Sequence, residues 1–331
     1  MTPGPAILLD CVSRSFGDET VVDDMSLRLD RGLLLGLIGP SGAGKTTTIK
    51  MLTGALAPSE GTVLVLGEDP RRFRRSTRER VGYMPQQFSL YEDLTTRENV
   101  DFHATLFGML LPRRRRRIPE VLKLLELWDA RSIRAGHLSG GMQRRLELAC
   151  ALVHDPDLFF LDEPTAGIDP LLRTRVWEEL HRLRALGRTI VVTTQYVTEA
   201  EECDVVVLVS EGRIIAAGAP DELRRKAVGG DVVILETAAA MPIGSLLDRA
   251  DLLDASRTSP TSYRLVVVDA GVAVPEIVEG LNEGGVEVRS AREEHPSFDE
   301  VFATLVRRSR GEPEPVAAAP ADVATGEGRA A

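Results

Sequence analysis

Aromatic residues are scarce in this chain of 331: two tryptophans, four tyrosines and nine phenylalanines, 5% in all. With so few rings, arginine-rich stretches have nothing interleaved for base stacking, and fifty acidic against forty basic residues leave a net charge of -10. Nucleic acid is therefore not an expected partner. Cysteine is limited to Cys11, Cys150 and Cys203, odd in number, far apart and without C-x-x-C spacing. That excludes a disulfide framework and structural zinc, and leaves three small, reduced, apolar residues. No apolar run approaches the ~20 residues of a membrane-spanning helix, so no direct membrane span is expected. The start Met1-Thr2-Pro3-Gly4-Pro5 lacks the basic and apolar regions of a signal peptide, and the expected location is the cytoplasm. Lysine is nearly absent too. Only Lys45, Lys50, Lys123 and Lys226 occur among the forty basic residues, so Lys45 stands out before any motif is considered.

What is present is apolar enough, at 43% hydrophobic residues, to fill the cores of about two domains of ~100 to 200 residues each. Short strands are expected at Ile7 to Val12, Val21 to Leu29, Leu33 to Ile38 and Thr62 to Leu66, with a helix from Gly44 to Leu52 between the last two. From about Gln86 to His154 the pattern turns helical, in Thr96 to Phe107, Ile118 to Leu127 and Gly141 to Val153, as an all-helical insertion. Strands at Leu158 to Leu161, Thr189 to Thr193 and Val205 to Val209, with a helix around Leu171 to Leu186, restore an α/β alternation and imply a mostly parallel core sheet. After Gly229-Gly230 the order becomes strand, helix near Leu246, two strands, helix, strand and a final helix from Phe298, a small α+β domain of ferredoxin-like order. From about Gly311 the chain is rich in Pro, Ala and Glu and is expected to be disordered.

Three motifs carry chemistry. Gly39-Pro40-Ser41-Gly42-Ala43-Gly44-Lys45-Thr46 fits the phosphate-loop pattern and lies between an apolar strand and a helix. In such a loop backbone N–H groups and the helix N-terminus cradle the β-phosphate, Lys45 neutralises β/γ oxygens, Thr46 ligates Mg2+, and Thr47 adds an α-phosphate contact. Leu158-Phe159-Phe160-Leu161-Asp162-Glu163 is an apolar strand ending in two carboxylates at the sheet edge where ligands bind. Asp162 suits a water-mediated Mg2+ contact, and Glu163 suits a general base that polarises the attacking water. Leu138-Ser139-Gly140-Gly141-Met142-Gln143 opens a helix, and taken alone it is either a capped helix start or a second anion-binding N-terminus.

In the chain order phosphate loop, Leu138–Gln143 and Asp-Glu strand, with a helical insertion between them, these motifs resemble the ATP-binding cassette (ABC) ATPases over about Ile7 to Lys226. The resemblance implies an α/β P-loop NTPase of ABC type, with a mostly parallel core sheet, an antiparallel β subdomain and a helical insertion, followed by a small C-terminal α+β domain. Residues 1–228 would be the ATPase domain, with its helical subdomain at about 87–154, residues 229–308 the C-terminal domain, and 309–331 a disordered tail. It also implies a head-to-tail homodimer in which Ser139, Gly140, Gly141 and Gln143 of one subunit complete the ATP site built by Lys45 of the other. Phe16 sits where the family stacks an aromatic on adenine, Gln86 at the lid-loop glutamine that touches Mg2+ or water, and Asp169 in the loop that crosses the dimer interface. Gln87 beside Gln86 leaves that assignment open by one residue, and Asp169 before Pro170 is also an ordinary helix cap.

One position departs from the pattern. Gln195, in Thr193-Thr194-Gln195-Tyr196, stands where most of these ATPases carry a histidine that contacts the γ-phosphate. An amide can donate to phosphate but cannot become a cation near neutral pH, so hydrolysis is expected to persist with Glu163 as base. The Gln195-Tyr196 variant and the stretch Pro296 to Phe302 resemble the ATP-binding subunits of drug-type exporters, such as the daunorubicin-resistance type. The expected function is to power a separate integral membrane permease, with the chain peripheral on the inner face of the cell membrane. A soluble ABC ATPase of DNA repair or translation, an importer ATPase and a non-hydrolysing regulatory module are the alternatives. The Arg113 to Arg117 run reads as a solvated helix start, with lipid head groups beside a membrane partner as its other use.

Overall fold

A computed structural model describes residues 4–87, 89–243 and 251–311. The chain opens with two long antiparallel strands, β1 (Ile7–Phe16) and β2 (Glu19–Leu29), turned at Gly17, followed by β3 (Leu34–Ile38) and α1 (Lys45–Leu52). The next strand, β4 (Glu60–Val65), pairs with β1 rather than β3, and completes a three-stranded antiparallel sheet in the order β2-β1-β4. A single turn α2 (Arg75–Arg78) leads to β5 (Val81–Met84). The helical insertion holds α3 (Thr96–Leu106), α4 (Leu111–Leu124) and α5 (Gly140–Leu152). Then come β6 (Leu158–Asp162), α6 (Pro170–Ala185), β7 (Thr189–Thr194), β8 (Val205–Ser210), β9 (Arg213–Gly218) and α7 (Pro220–Val228).

The central sheet has the order β5-β6-β7-β3-β8-β9, parallel except for β9 at one edge. Its inner strands β6, β7 and β3 are buried along their whole length, with successive side chains entering cores on opposite faces. In β6, Leu158 and Phe160 enter the core shared with α1 and the antiparallel sheet, while Phe159 and Leu161 enter the core shared with the helices. Each such full burial is worth roughly 1.5–3 kcal/mol relative to exposure. Because β3 lies between β7 and β8, the loop that follows it opens beside the ends of both.

The second unit is a four-stranded antiparallel sheet of β10 (Asp231–Thr237), β11 (Leu252–Ser259), β12 (Ser262–Val267) and β13 (Val288–Glu294), in the order β11-β12-β10-β13. One face packs against α8 (Ala270–Glu283) around Val233, Leu235, Tyr263, Leu265, Ile277 and Leu281. That strand order matches the ferredoxin-like expectation. The helix expected near Leu246 lies outside the described residues, as does the expected tail from residue 312 onward.

The last helix, α9 (Phe298–Ser309), returns to the first unit. Its Phe298, Val301 and Leu305 join Leu223 and Ala227 of α7 in the large helical core, and the Arg224 guanidinium lies 4.7 Å from the Phe298 ring centroid. Two further outcomes differ from expectation. Helix α4 starts at Leu111, seven residues before Ile118, with Pro112 in its first turn. The arginine run is thus the helix start it reads as, and four of its members form ion pairs: Arg113 with Asp155, Arg114 with Asp101, and Arg116 and Arg117 with Glu120. Cys150 and Cys203 are buried thiols as the composition suggests, whereas Cys11 is exposed on β1.

Candidate nucleotide site

The phosphate-loop geometry follows from where glycine is forced. Gly42 and Gly44 hold left-handed backbone, with φ 81° and 92°. A Cβ on Gly39 would lie 2.1 Å from the Val209 carbonyl oxygen, and one on Gly44 would lie 2.6 Å from that of Val21. Side chains are therefore excluded at both ends of the loop. Pro40, Ser41 and Gly42 are exposed at its mouth, while Ala43 and Gly44 are buried at its base and Thr47 is half-buried in α1. Lys45 is only 5% exposed, and its amine donates to the carbonyl oxygens of Gly39 at 2.7 Å and Pro40 at 2.8 Å. Burial pushes its pKa down, against the opposing pull of the Glu163 and Asp162 carboxylates.

Beside the loop, β6 delivers its two acids. Asp162 is fully buried, and its Oδ1 accepts from the Thr193 hydroxyl on the neighbouring strand. The Thr46 hydroxyl lies 3.3 Å from Asp162 Oδ1 and 3.3 Å from Gln86 Oε1. Of the two adjacent glutamines, it is thus Gln86 that reaches the loop. Asp162 Oδ2 is buried with no hydrogen-bond partner, and it belongs to the carboxylate whose Oδ1 meets the Thr46 hydroxyl, itself beside the Gln86 amide oxygen. An all-oxygen set of that kind fits a hard divalent cation that keeps waters and substrate oxygens as its other ligands. Glu163 takes left-handed backbone, φ 53°, costly for a non-glycine residue, and is held there by its N–H, which donates to Thr193 O at 3.1 Å and Oγ1 at 3.0 Å.

The remaining residues group around this centre or apart from it. Gln195 is exposed directly after Thr194, whose carbonyl accepts from the Gly39 N–H at 3.3 Å, so it borders the loop. Phe16 is 47% exposed, with the Arg14 guanidinium 4.5 Å from its ring centroid. Ser139 caps α5 by accepting from Met142 N–H at 3.3 Å, and Asp169 caps α6 by accepting from Leu172 N–H at 3.0 Å. The exposed Ser139-Gly140 turn and Gly141 stand outside the Lys45, Thr46, Gln86 and Asp162 hydrogen-bond network; a Cβ on Gly141 would instead lie 3.3 Å from the Gly167 oxygen. Gln143 turns inward and donates to Ala135 O at 3.0 Å.

Residues 22–166 match the ABC transporter family, and residues 218–306 match the C-terminal domain of DrrA1-3-like ATP-binding proteins. Daunorubicin resistance ATP-binding protein DrrA3 of Streptomyces coeruleorubidus is 36% identical over 309 residues, 92% of this chain and 97% of that protein. The chain belongs to the ABC transporter ATP-binding proteins. Nod factor export ATP-binding protein I of Paraburkholderia xenovorans is 42% identical over 269 residues, 81% of this chain and 88% of that one. Among solved structures, an ATP-binding subunit of an ABC transporter superposes with a TM-score of 0.63 at 31% identity, covering 67% of this chain and 92% of that one. A dimeric, post-hydrolysis ABC cassette, MJ0796 bound to ADP and Pi, superposes with a TM-score of 0.60 at 26% identity, covering 64% and 98%. This ABC ATPase thus carries the family's fold, and membership implies ATP binding and hydrolysis as a transporter subunit.

One residue of this ABC ATPase escaped the sequence reading. Arg144, in the first turns of α5, is 4% exposed and donates to the carbonyl oxygens of Pro85 at 2.9 Å, Gln86 at 3.0 Å, Glu163 at 2.6 Å and Asp162. It also pairs with Glu147 at 3.3 Å, whose carboxylate accepts from the N–H and hydroxyl of Ser89. The only sequence signal was its place directly after Gln143.

Proposed function

We propose that the chain is the ATP-hydrolysing subunit of an exporter of drugs or other hydrophobic compounds, working with a separate integral membrane permease. The observation that carries hydrolysis is the convergence of Lys45, Thr46, Gln86, Asp162 and Glu163 beside the ends of β3 and β6. Likeness to a daunorubicin resistance protein across both units supports export. The division into an ATPase unit at 1–228 and a C-terminal unit at 229–308, whose last helix α9 packs back into the core of the first, belongs to the same proposal.

In this reading the N–H groups of residues 39–46 and the α1 N-terminus hold the phosphates of ATP, and Lys45 turns from the loop carbonyls to the β/γ oxygens. Thr46, Gln86 and Asp162 hold Mg2+, which when bound neutralises phosphate charge. Glu163 accepts a proton from the attacking water, and the Gln195 amide donates to the γ-phosphate. Phe16 offers its free area to adenine. Ser139, Gly140 and Gly141 serve the ATP of a second copy in a head-to-tail homodimer, for which the exposure of that turn leaves room.

A groove of about 740 Å³ between the helical insertion and the core supports a membrane partner. It is lined by Arg71, Arg75, Tyr83, His103 and Leu106, and the exposed Leu106, Leu110 and Leu111 extend its apolar surface. Such a surface fits a permease loop with apolar and acidic residues, and holding the ATPase there places it on the inner face of the membrane.

Mg2+-dependent ATP turnover by the purified chain tests the proposal, with Glu163→Gln as control and size-exclusion chromatography of both in ATP. Turnover in the wild type and an ATP-trapped dimer without turnover in the variant are expected. A Glu163→Gln chain as active as wild type would overturn the assignment.

A further inference from the structure

We infer that Arg144 is a positioning residue that fixes the Gln86 loop and the Glu163 strand end relative to each other. The inference rests on the hydrolytic reading above and extends it to a residue that touches no reacting atom. The guanidinium spreads Nε, Nη1 and Nη2 in one plane. Nη1 takes the Pro85 and Gln86 carbonyls, and Nη2 and Nε take Glu163 O at 2.6 and 3.2 Å, with Asp162 O also on Nη2. Two segments far apart in sequence, one from the lid loop and one from β6, are therefore held by a single side chain whose stem belongs to a third, the helix opened by Ser139.

A planar fork of fixed spacing can do this and a point charge cannot. Burial disfavours the Arg144 charge, and the Glu147 carboxylate 3.3 Å away offsets that cost. Glu147 continues the chain of contacts to Ser89, which together with Pro85 lines the groove assigned to the membrane partner. Arg144 and Glu147 thus form a continuous polar path from the groove wall to the backbone of the base. An exposed arginine of the neighbouring helix α4, Arg116, makes only a surface pair with Glu120.

The test uses Arg144→Lys, which keeps charge and bulk but loses the fork, in the wild-type and Glu163→Gln backgrounds. Because a misplaced base loses rate without losing ground-state binding, kcat should fall roughly 10–100-fold while KM for ATP changes less than about threefold. In the Glu163→Gln background, where steady-state turnover is lost and no base remains to misplace, the slow residual hydrolysis of trapped ATP, followed as a single turnover over hours, should fall less than about threefold on adding Arg144→Lys. Equal losses in both backgrounds, or a Lys variant within about threefold of wild-type kcat, would overturn the inference. Should the Lys variant fail to fold by circular dichroism, Arg144→Gln is read by the same cycle. A wild type without turnover, or one insensitive to Glu163→Gln, would instead remove the hydrolytic reading on which the inference rests.

Discussion

Thr165 Oγ1 donates a 2.7 Å hydrogen bond to Oε1 of Glu199, and both side chains are buried. Thr165 lies just past Glu163 and Glu199 just past Gln195, so one bond ties together the segments that carry the two residues assigned to the γ-phosphate end of the site. Glu199→Ala would leave the Thr165 hydroxyl unpaired in the core and lower stability by about 1–3 kcal/mol. Urea denaturation checks this, and an unchanged midpoint would contradict it.

Gly44→Ala should cost stability and nucleotide affinity together. The alanine would have to hold φ 92° with its Cβ 2.6 Å from Val21 O, so the turn into α1 must deform. A loss of about 1–3 kcal/mol is expected. Thermal melts with and without ATP separate the two effects, since a variant whose melting point rises with ATP as much as wild type's has kept its loop.

His154 makes stability depend on acidity. Its ring stacks on Phe107 at 3.7 Å, lies 3.2 Å from Val81 O through Nε2, and burial pushes its pKa down to about 4. Above the unfolded value of about 6.5 the ring is neutral in both states and contributes no pH dependence. As pH falls from there towards 4, the unfolded chain takes up a proton that the folded chain refuses, and stability drops by about 3 kcal/mol in all. Carboxylates titrate in part of the same window, so the quantity to measure is the difference between wild type and His154→Gln. A difference independent of pH would show that the imidazole titrates normally.

Phe298→Ala should loosen the last helix from α7. The ring is 2% exposed, and emptying such a site costs about 3–5 kcal/mol. Hydrogen exchange across α9 should speed up, and that of α8, in a separate core, should not.

What the sequence made legible was whatever depends on neighbours in the chain. The phosphate loop needs contiguous glycines and a lysine at fixed spacing, and the Asp162-Glu163 pair needs only a buried strand that ends there. Arg144 needs carbonyls from residues 85, 86, 162 and 163 brought together, and nothing in an Arg144-Arg145 pair at the start of a largely buried helix announces that. The apolar period places the start of α4 only at Ile118, because arginines at 113–117 carry no such period; the reading of that run as a solvated helix start, for which Pro112 is a signal, gives the better boundary. Strand β9 and helix α7 were missed because β9 is largely half-buried at the sheet edge, where alternation is weak. The apolar face of α9 was visible in Phe298, Val301 and Leu305, but periodicity names no partner, so its packing on α7 emerged only in three dimensions.

The route of the chain around that helix has a mechanical consequence. It leaves the first unit once, at Gly229, and comes back once, through Ser297 into α9. A unit hung on a single linker can swivel freely, but one pinned at both its entrance and its exit loses that rotation. A pull on the four-stranded sheet is then shared between α7 and α9 as a torque on the helical side of the first unit, rather than dissipated in a slack tether.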